Sequence, residues 1–186
     1  MTPSPTPLRL GLIGAGRIGT AHARVVAERV PGAVLAAVAD ARPGAAAQLA
    51  EPYGAVAFDD PQALIDSPDV DAVVITASSV AHAALITAVA RAGKPVFCEK
   101  PAGMTLAELD GALAAVDEAG VILQVGFNRR FDAGFAAAHA AVVDDAVGQV
   151  QLMRSLTRDP GLANPAAVPP WTIFTQTLIH DFDALN

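Results

Sequence analysis

Three glycines stand at a spacing that can cradle phosphate groups. Gly14, Gly16 and Gly19 form the pattern G-x-G-x-x-G between a short apolar run and a helical pattern. The first glycine permits a tight turn, the second lets backbone approach a pyrophosphate, and the third allows close packing of helix against strand. The amides at the helix start, around Arg17 and Ile18, face the bound anion. This pattern predicts a dinucleotide-binding site, and the alternative is a glycine-rich turn that binds no nucleotide.

An acidic residue follows the glycines at the distance that such a site requires. Asp40 ends the next apolar run, about twenty residues beyond the glycine motif. A carboxylate at this place can accept a hydrogen bond from a ribose 2′-hydroxyl and repel a 2′-phosphate. The sequence therefore favours NAD over NADP, although Arg42 nearby could soften that preference.

A lysine follows the predicted fifth strand, in the run Glu99-Lys100-Pro101. Ligands of open α/β sheets bind beyond the carboxyl ends of the strands, so we expect Lys100 beside a nicotinamide ring. There it could exchange a proton with a substrate hydroxyl. The alternative is a surface lysine paired with a neighbouring acid. Cys98 is expected to be a small buried strand residue.

A third group of polar residues lies near the end of the chain. On a helix, Gln176, His180 and Asp183 are spaced i, i+4 and i+7 and share one face, whereas Asp181 points elsewhere. His180 could act as an acid or base, or orient a hydroxyl. The alternative is a hydrogen-bonded structural histidine, with Asp183 as a solvated charge.

The elements that must position these residues alternate along the chain. Strands that are apolar almost throughout, separated by helices, predict a doubly wound parallel sheet of Rossmann type, an α/β fold, followed by the start of an α+β substrate domain. We expect the nucleotide-binding domain at 1–147 and the incomplete second domain at 148–186. Strands are predicted at 8–13, 34–39, 55–58, 72–76, 95–98, 121–125 and 149–158, and helices at 18–30, 43–51, 61–66, 80–92, 105–120, 133–143 and from 172.

Composition excludes several classes of protein. The 186 residues are 53% hydrophobic and 17% charged, which is too apolar for a disordered chain. A net charge of −7 and a pI near 4.9 argue against nucleic-acid binding. A lone cysteine favours a reducing cytoplasm, and the proline-rich start, expected to be extended, lacks the features of a signal peptide. Two long uncharged stretches are broken by polar residues or prolines, so we expect no membrane span. No metal site is predicted.

Four motifs together resemble one known family, the glucose-fructose oxidoreductase and inositol dehydrogenase family. They occur in the family's order and span nearly the whole chain: the glycine motif, Phe97 to Pro101, Gln124 to Asp132, and Ile179 to Asp183. The last two runs look most like those of inositol 2-dehydrogenases, which oxidise a ring hydroxyl of myo-inositol to a ketone with NAD. The resemblance therefore implies a polyol or sugar substrate and NAD as cofactor.

The resemblance also assigns roles by position. Lys100 matches the family's catalytic lysine and His180 its catalytic histidine. Arg130 and Asp183 fall where inositol-type members contact substrate hydroxyls, with Gln176 beside them. The cofactor cleft of relatives is lined by a region that here contains Thr76, Ser78 and His82, with Glu99 and Gln124 near it.

Two departures from the family pattern leave alternatives open. Gln176 stands where the family usually has Asp, and glutamine cannot supply the negative charge that would stabilise a protonated His180. Relatives also continue through a mostly antiparallel sheet that covers the substrate and usually mediates oligomerisation, so we expect this chain to end inside that domain. A non-catalytic dinucleotide-binding module and a fragment of a longer enzyme are the alternatives to an active dehydrogenase, and a homo-oligomer would require the missing sheet.

Overall fold

Six parallel strands form one sheet at the centre of the fold. A computed structural model of the chain describes residues 6–158 and 171–186. The sheet has the order β3-β2-β1-β4-β5-β6, and each neighbouring pair is parallel. This confirms the predicted doubly wound sheet, whose order reverses between β1 and β4. The strands are β1 Leu8–Ile13, β2 Ala33–Ala39, β3 Val56–Phe58, β4 Ala72–Ile75, β5 Val96–Cys98 and β6 Leu123–Val125.

Helices connect the strands and continue beyond the sheet. Side-chain caps fix several of their starts: Thr105 and Glu108 form a reciprocal capping box, and Asp60 and Asp132 each accept hydrogen bonds from the first turn of their helices. The six helices predicted before residue 144 are confirmed, with ends that differ by up to a few residues. The helices are α1 Arg17–Arg29, α2 Ala45–Ala50, α3 Pro61–Asp66, α4 His82–Arg91, α5 Leu106–Ala119, α6 Ala133–Val143 and α7 Ile179–Leu185.

Alternate residues of the strands bury two separate apolar cores, one on each face of the sheet. Leu12 and Val38 belong to the core that packs against α1 and α2. Ile13 and Ile75 belong to the larger core on the other face, which packs against α3, α4 and α5. Neighbouring side chains in a strand point to opposite faces, so a continuous apolar run is needed when both faces are covered.

The chain divides into two compact units, residues 1–125 and 126–186. The first contains the whole sheet and helices α1 to α5, and the second contains α6 and α7. The predicted domain boundary at residue 147 therefore lies inside the second unit. It stays a prediction. The extended start and the proline-rich loop after residue 158 lie mostly outside the described residues.

Two predictions for the second unit are wrong. The strand at 149–158 is not formed, because a strand needs a neighbour to hydrogen-bond with and none of the described strands pairs with this segment. The helix predicted from 172 is not one continuous α-helix. Residues Ile173–Thr177 form a π-helical turn, in which the Leu178 amide donates to the Ile173 carbonyl at 2.8 Å. Gln176 therefore leaves the α-helical register that would align it with His180.

In the part of the chain that the structure describes, none of the helices combines the length and apolar content needed to cross a membrane.

Candidate functional site

Two of the three glycines are required by close backbone packing. Gly14 has φ +106°, and a Cβ there would lie 2.6 Å from the amide nitrogen of Ala77. A Cβ on Gly19 would lie 1.8 Å from the carbonyl oxygen of Gly14. A side chain at either position would collide with backbone, so these glycines shape the turn between β1 and α1.

The third glycine faces open space. A Cβ on Gly16 would meet no atom within 4 Å. Gly16 is also the residue before the first turn of α1, where amides without helical partners concentrate a partial positive charge. An open backbone next to such amides fits the pyrophosphate of a dinucleotide, which needs close approach to backbone at this point.

The residues around this turn line one open cleft at the carboxyl ends of the strands. Its volume is about 560 Å³. Gly19 lies beneath the turn and is buried. The structure thus brings together most of the side chains and backbone predicted to bind the cofactor: Gly14, Gly16, Arg17, Ile18, Asp40, Thr76 and Ser78 line this cleft.

Thr76 joins the glycine turn to the end of β4. Its hydroxyl oxygen lies 2.8 Å from the carbonyl oxygen of Gly14 and 3.1 Å from that of Ile13, and the residue is 7% exposed. A hydroxyl donates a single proton, so it is shared between these two acceptors. The contacts show Thr76 acting on the shape of the turn, while its direct contact with a cofactor stays a prediction.

Asp40 supplies a fixed negative charge at the end of β2. Its carboxylate accepts from the amide of Ala15 at 2.7 Å and from the amide and guanidinium of Arg42 at 2.8 to 3.0 Å. The hydrogen bond from Arg42 is the main reason that the pKa of Asp40 falls to about 2, with the two backbone amides adding to it and burial opposing it. A carboxylate with oxygens at this place fits a ribose hydroxyl.

Lys100 follows β5 in a turn that the first unit holds from several sides. The amide of Glu99 donates to the carbonyl of Ile75 at 2.9 Å, which fixes the turn to the end of β4. The Glu99 carboxylate lies 2.8 Å from Nε2 of His22, on α1, whose ring packs 5.4 Å from that of Phe97. Burial opposes ionisation of Glu99, but His22 and Lys100 outweigh it and lower the pKa of Glu99.

His82, predicted to lie at the cofactor, is 1% exposed. Its two ring nitrogens lie 2.8 Å from the carbonyl oxygen of Pro101 and 3.0 Å from that of Ala77. The ring thus bridges the turn that carries Lys100 and the loop after β4. A direct contact of His82 with a cofactor stays a prediction.

The second unit pairs two arginines with the two aspartates of α7. Arg129 donates to the buried carboxylate of Asp181 at 2.7 Å, and Thr157 and Ser155 also donate to it. Burial opposes ionisation of Asp181, but the hydrogen bonds from the serine, the threonine and the arginine lower its pKa to about 2. This pair fastens α7 to the segment after β6.

Arg130 and Asp183, both predicted to contact substrate, are bound to each other. The guanidinium donates to both oxygens of the Asp183 carboxylate at 2.7 to 2.9 Å. His180, in the first turn of α7, packs edge-on against Phe127 with ring centroids 6.4 Å apart. Gln124 lies in the first unit, at β6, where its side-chain amide donates to the Val125 carbonyl at 2.9 Å.

Sequence reasoning missed three residues that position the site. His22 lies 77 residues from Glu99, and no local pattern links them. Arg129 is adjacent to Arg130, and Asp181 lies two residues before Asp183. Helical spacing places Asp183 rather than Asp181 on the face of His180, but it does not indicate that Asp181 is the buried carboxylate. The only available signal for His22 was its place one turn after Gly19, on the helix that follows the glycine motif.

Comparison with known proteins fits this geometry. The model of an oxidoreductase family with an NAD-binding Rossmann fold matches residues 8–127. The chain belongs to this oxidoreductase family. Membership confirms the predicted dinucleotide-binding fold and NAD as its cofactor, and it confirms the resemblance on which the roles of Lys100 and His180 were assigned.

Members of this oxidoreductase family include proteins similar to the chain over most of its length. Myo-inositol 2-dehydrogenase of Thermotoga maritima is 40% identical over 184 residues, which cover 95% of this chain and 53% of that protein. The crystal structure of a probable dehydrogenase from Thermotoga maritima matches with a TM-score of 0.86 at 40% identity, covering 96% of this chain and 54% of that one. A structure of scyllo-inositol dehydrogenase from Lactobacillus casei with bound NAD(H) and scyllo-inositol matches with a TM-score of 0.73 at 29% identity, covering 76% and 42%. The chain spans about half the length of the curated relatives it matches.

Proposed function

We propose that this chain is the NAD-binding part of a dehydrogenase that oxidises a ring hydroxyl of a cyclic polyol or sugar. The substrate we place first is myo-inositol, with 2-keto-myo-inositol as the product. The observation that carries the proposal is the cleft in which the open backbone at Gly16 and the fixed charge of Asp40 lie together. The names of the relatives, inositol 2-dehydrogenases, support the choice of substrate.

The chain's own groups have separate tasks in this reaction. When bound, NAD would accept a hydride, which is a proton with two electrons, from the substrate carbon. Lys100, at the carboxyl end of β5, takes the proton from the hydroxyl on that carbon. His180 orients the hydroxyl or passes the proton on. The dinucleotide cleft would hold and orient the cofactor, which lowers the entropic part of the barrier.

Selection of NAD over NADP rests on Asp40. Its carboxylate stays ionised at neutral pH, because its pKa is about 2. A 2′-phosphate placed beside this charge would be repelled, and the exposed Arg42 would offset only part of the repulsion. We expect NAD to bind more tightly than NADP, and Arg42→Ala to widen the difference.

The second unit would supply the contacts to the substrate. Arg130 and Asp183 present a donor and an acceptor that are now paired with each other, and a polyol offers hydroxyls that can bond to both. Gln176 can bond to a hydroxyl without adding a charge. The neutral side chain favours a slower enzyme, or a polyol other than myo-inositol, compared with relatives that carry Asp there.

The test is NADH formation with purified protein, NAD and a panel of inositols and aldoses. The sequence holds two lysines, Lys94 and Lys100, and this supplies a matched control. Lys94 precedes β5, at the other end of the strand, and its amine donates to the Ser67 carbonyl at 2.7 Å. Lys100→Met should abolish turnover and leave NAD binding within about twofold, whereas Lys94→Met should retain turnover.

Three outcomes decide the proposal. Polyol oxidation that depends on Lys100 supports it. Turnover that survives Lys100→Met contradicts the assigned role of this lysine. Tight NAD binding without turnover of any polyol would favour a non-catalytic dinucleotide-binding module, in which NAD raises the melting temperature and polyols add nothing.

A further inference from the structure

In the turn that carries Lys100, the residue before the lysine and the residue after it each contact a histidine. Glu99, before it, is held through its side chain by His22 of α1 at 2.8 Å. Pro101, after it, is held through its carbonyl oxygen by His82 of α4 at 2.8 Å. The two histidines come from different helices and reach the turn from elements that also border the dinucleotide cleft.

In the contact between His22 and Glu99, the histidine is the hydrogen-bond donor and the carboxylate is the acceptor. Ionised Glu99 only accepts hydrogen bonds, so Nε2 of His22 must carry the proton. The two side chains are 27% and 22% exposed, and the imidazole ring is steadied by Phe97, 5.4 Å away. A hydrogen bond to a carboxylate that is mostly withdrawn from water is stronger and better aligned than one on an open surface.

The contact of His82 links the same turn to the glycine motif. The second ring nitrogen of His82 lies 3.0 Å from the carbonyl oxygen of Ala77. Ala77 is the residue against which Gly14 packs so closely that no Cβ fits between them. Both partners are carbonyl oxygens, which only accept, so a ring with a single N–H donates to one of them and packs against the other.

We propose that His22 and His82 are positioning residues, which fix the Glu99–Pro101 turn and hence the Lys100 amine relative to the dinucleotide cleft. The contacts on both sides of Lys100 fall on its neighbours, so they constrain the backbone from which its side chain extends. This inference rests on the proposed role of Lys100 in proton transfer. The alternative is that the two histidines stabilise the fold and have no specific effect on Lys100.

Kinetics with two variants of His22 separate these readings. His22→Phe keeps an aromatic ring against Phe97 and removes the donor, whereas His22→Gln keeps an amide donor near the position of Nε2. We expect His22→Phe to lower kcat by about 10- to 100-fold, since small misplacement of a reacting group has effects of this size. KM and the Kd for NAD should stay within about twofold, and His22→Gln should recover most of kcat. His139→Gln, on the exposed helix α6, is the matched control.

A spectroscopic measurement tests the positioning of Lys100 without requiring turnover. Because the chain has two lysines, protein labelled with 13C at lysine Cε gives two side-chain signals, and Lys94→Arg leaves that of Lys100 alone. We expect the Lys100 signal to shift or broaden in His22→Phe, with and without saturating NAD, and to stay in place in His22→Gln and His139→Gln. The labelled protein is also compared in its melting temperature, so that loss of folding is recognised.

The possible results distinguish the two proposals. If the wild type turns over no polyol but the Lys100 signal responds to His22→Phe as described, the positioning role of His22 stands and the proposed reaction fails. If His22→Phe is folded and its Lys100 signal is unchanged, the proposed positioning role of His22 is wrong, whatever the kinetic result. Equal shifts of the Lys94 and Lys100 signals, with kcat and KM altered together, show a merely structural role and overturn the proposal. His82 is fully buried, so His82→Gln is used as a second variant only where its unfolding remains cooperative.

Discussion

Alanine in place of each of two glycines should separate binding of the cofactor from folding. In Gly16→Ala the added methyl group meets no protein atom within 4 Å, so we expect the free energy of unfolding to change by no more than about 1 kcal/mol. The same methyl group would occupy the space through which a pyrophosphate approaches the backbone. We expect the affinity for NAD to fall at least tenfold, which corresponds to about 1.4 kcal/mol.

Gly19→Ala should have the opposite effect. Its Cβ would lie 1.8 Å from the Gly14 carbonyl oxygen, whereas real Cβ contacts essentially never fall under 3.0 Å, so backbone must move by at least 3.0 − 1.8 = 1.2 Å. Both partners are backbone in a buried turn, so no flexible side chain can absorb the shift. We expect a loss of about 3 kcal/mol or more, the upper end of the usual cost of overpacking.

Urea unfolding and calorimetric titration with NAD measure the two effects. Gly111→Ala is the matched control, because Gly111 lies within α5 and a Cβ there also meets no atom within 4 Å. It should raise stability by up to about 1 kcal/mol and leave NAD binding unchanged. The reasoning is refuted if Gly16→Ala binds NAD as tightly as the wild type, or if Gly19→Ala is as stable as Gly111→Ala.

Substitutions at three further positions test individual contacts. Asp40→Asn should destabilise the protein at neutral pH by about 2 kcal/mol, since the pKa of Asp40 falls from 3.8 to about 2 on folding. A lowered pKa gives stability that is complete above pH 3.8 and lost towards pH 2, so urea unfolding of the two proteins should converge over that range. Thr76→Val leaves the carbonyl of Gly14 without its hydroxyl donor and should cost about 1–3 kcal/mol in the same assay, while Thr76→Ser should be nearly neutral. Asp181→Asn removes the charge that faces Arg129 and should cost about 1.5–3 kcal/mol locally, seen as faster hydrogen exchange of the amides of α7.

The sheet and the glycine turn could be predicted because their causes are local. An apolar run without alternation indicates a strand covered on both faces, and the run over Leu8–Ile13 becomes such a strand. The glycine spacing encodes a turn whose strain is confined to Gly14 and Gly19. Each signal lies within about twenty residues, so no knowledge of the rest of the fold is needed.

The remainder depends on contacts between distant segments. Alternating residues at 149–158 favour an extended chain, but a strand forms only where a neighbour supplies hydrogen bonds, and the sequence does not state whether one does. The partner of Glu99 lies on α1, and Asp181 rather than Asp183 is the buried carboxylate of α7. The π-helical turn changed which residues share a face with His180, because one additional residue enters the turn.

The hydrogen bonds around Asp40 limit what its carboxylate can contribute to cofactor affinity. Four donors already approach its two oxygens, one from Ala15 and three from Arg42, and a carboxylate offers about four lone-pair sites. A ribose hydroxyl must therefore displace one of these donors before it can bond to the carboxylate. One hydrogen bond replaces another, so the contact adds little to the affinity for the cofactor. Asp40 then discriminates between NAD and NADP chiefly because its negative charge repels a 2′-phosphate. Its removal should broaden the range of accepted dinucleotides more than it weakens the hold on NAD, which makes this position a favourable starting point for changing cofactor use.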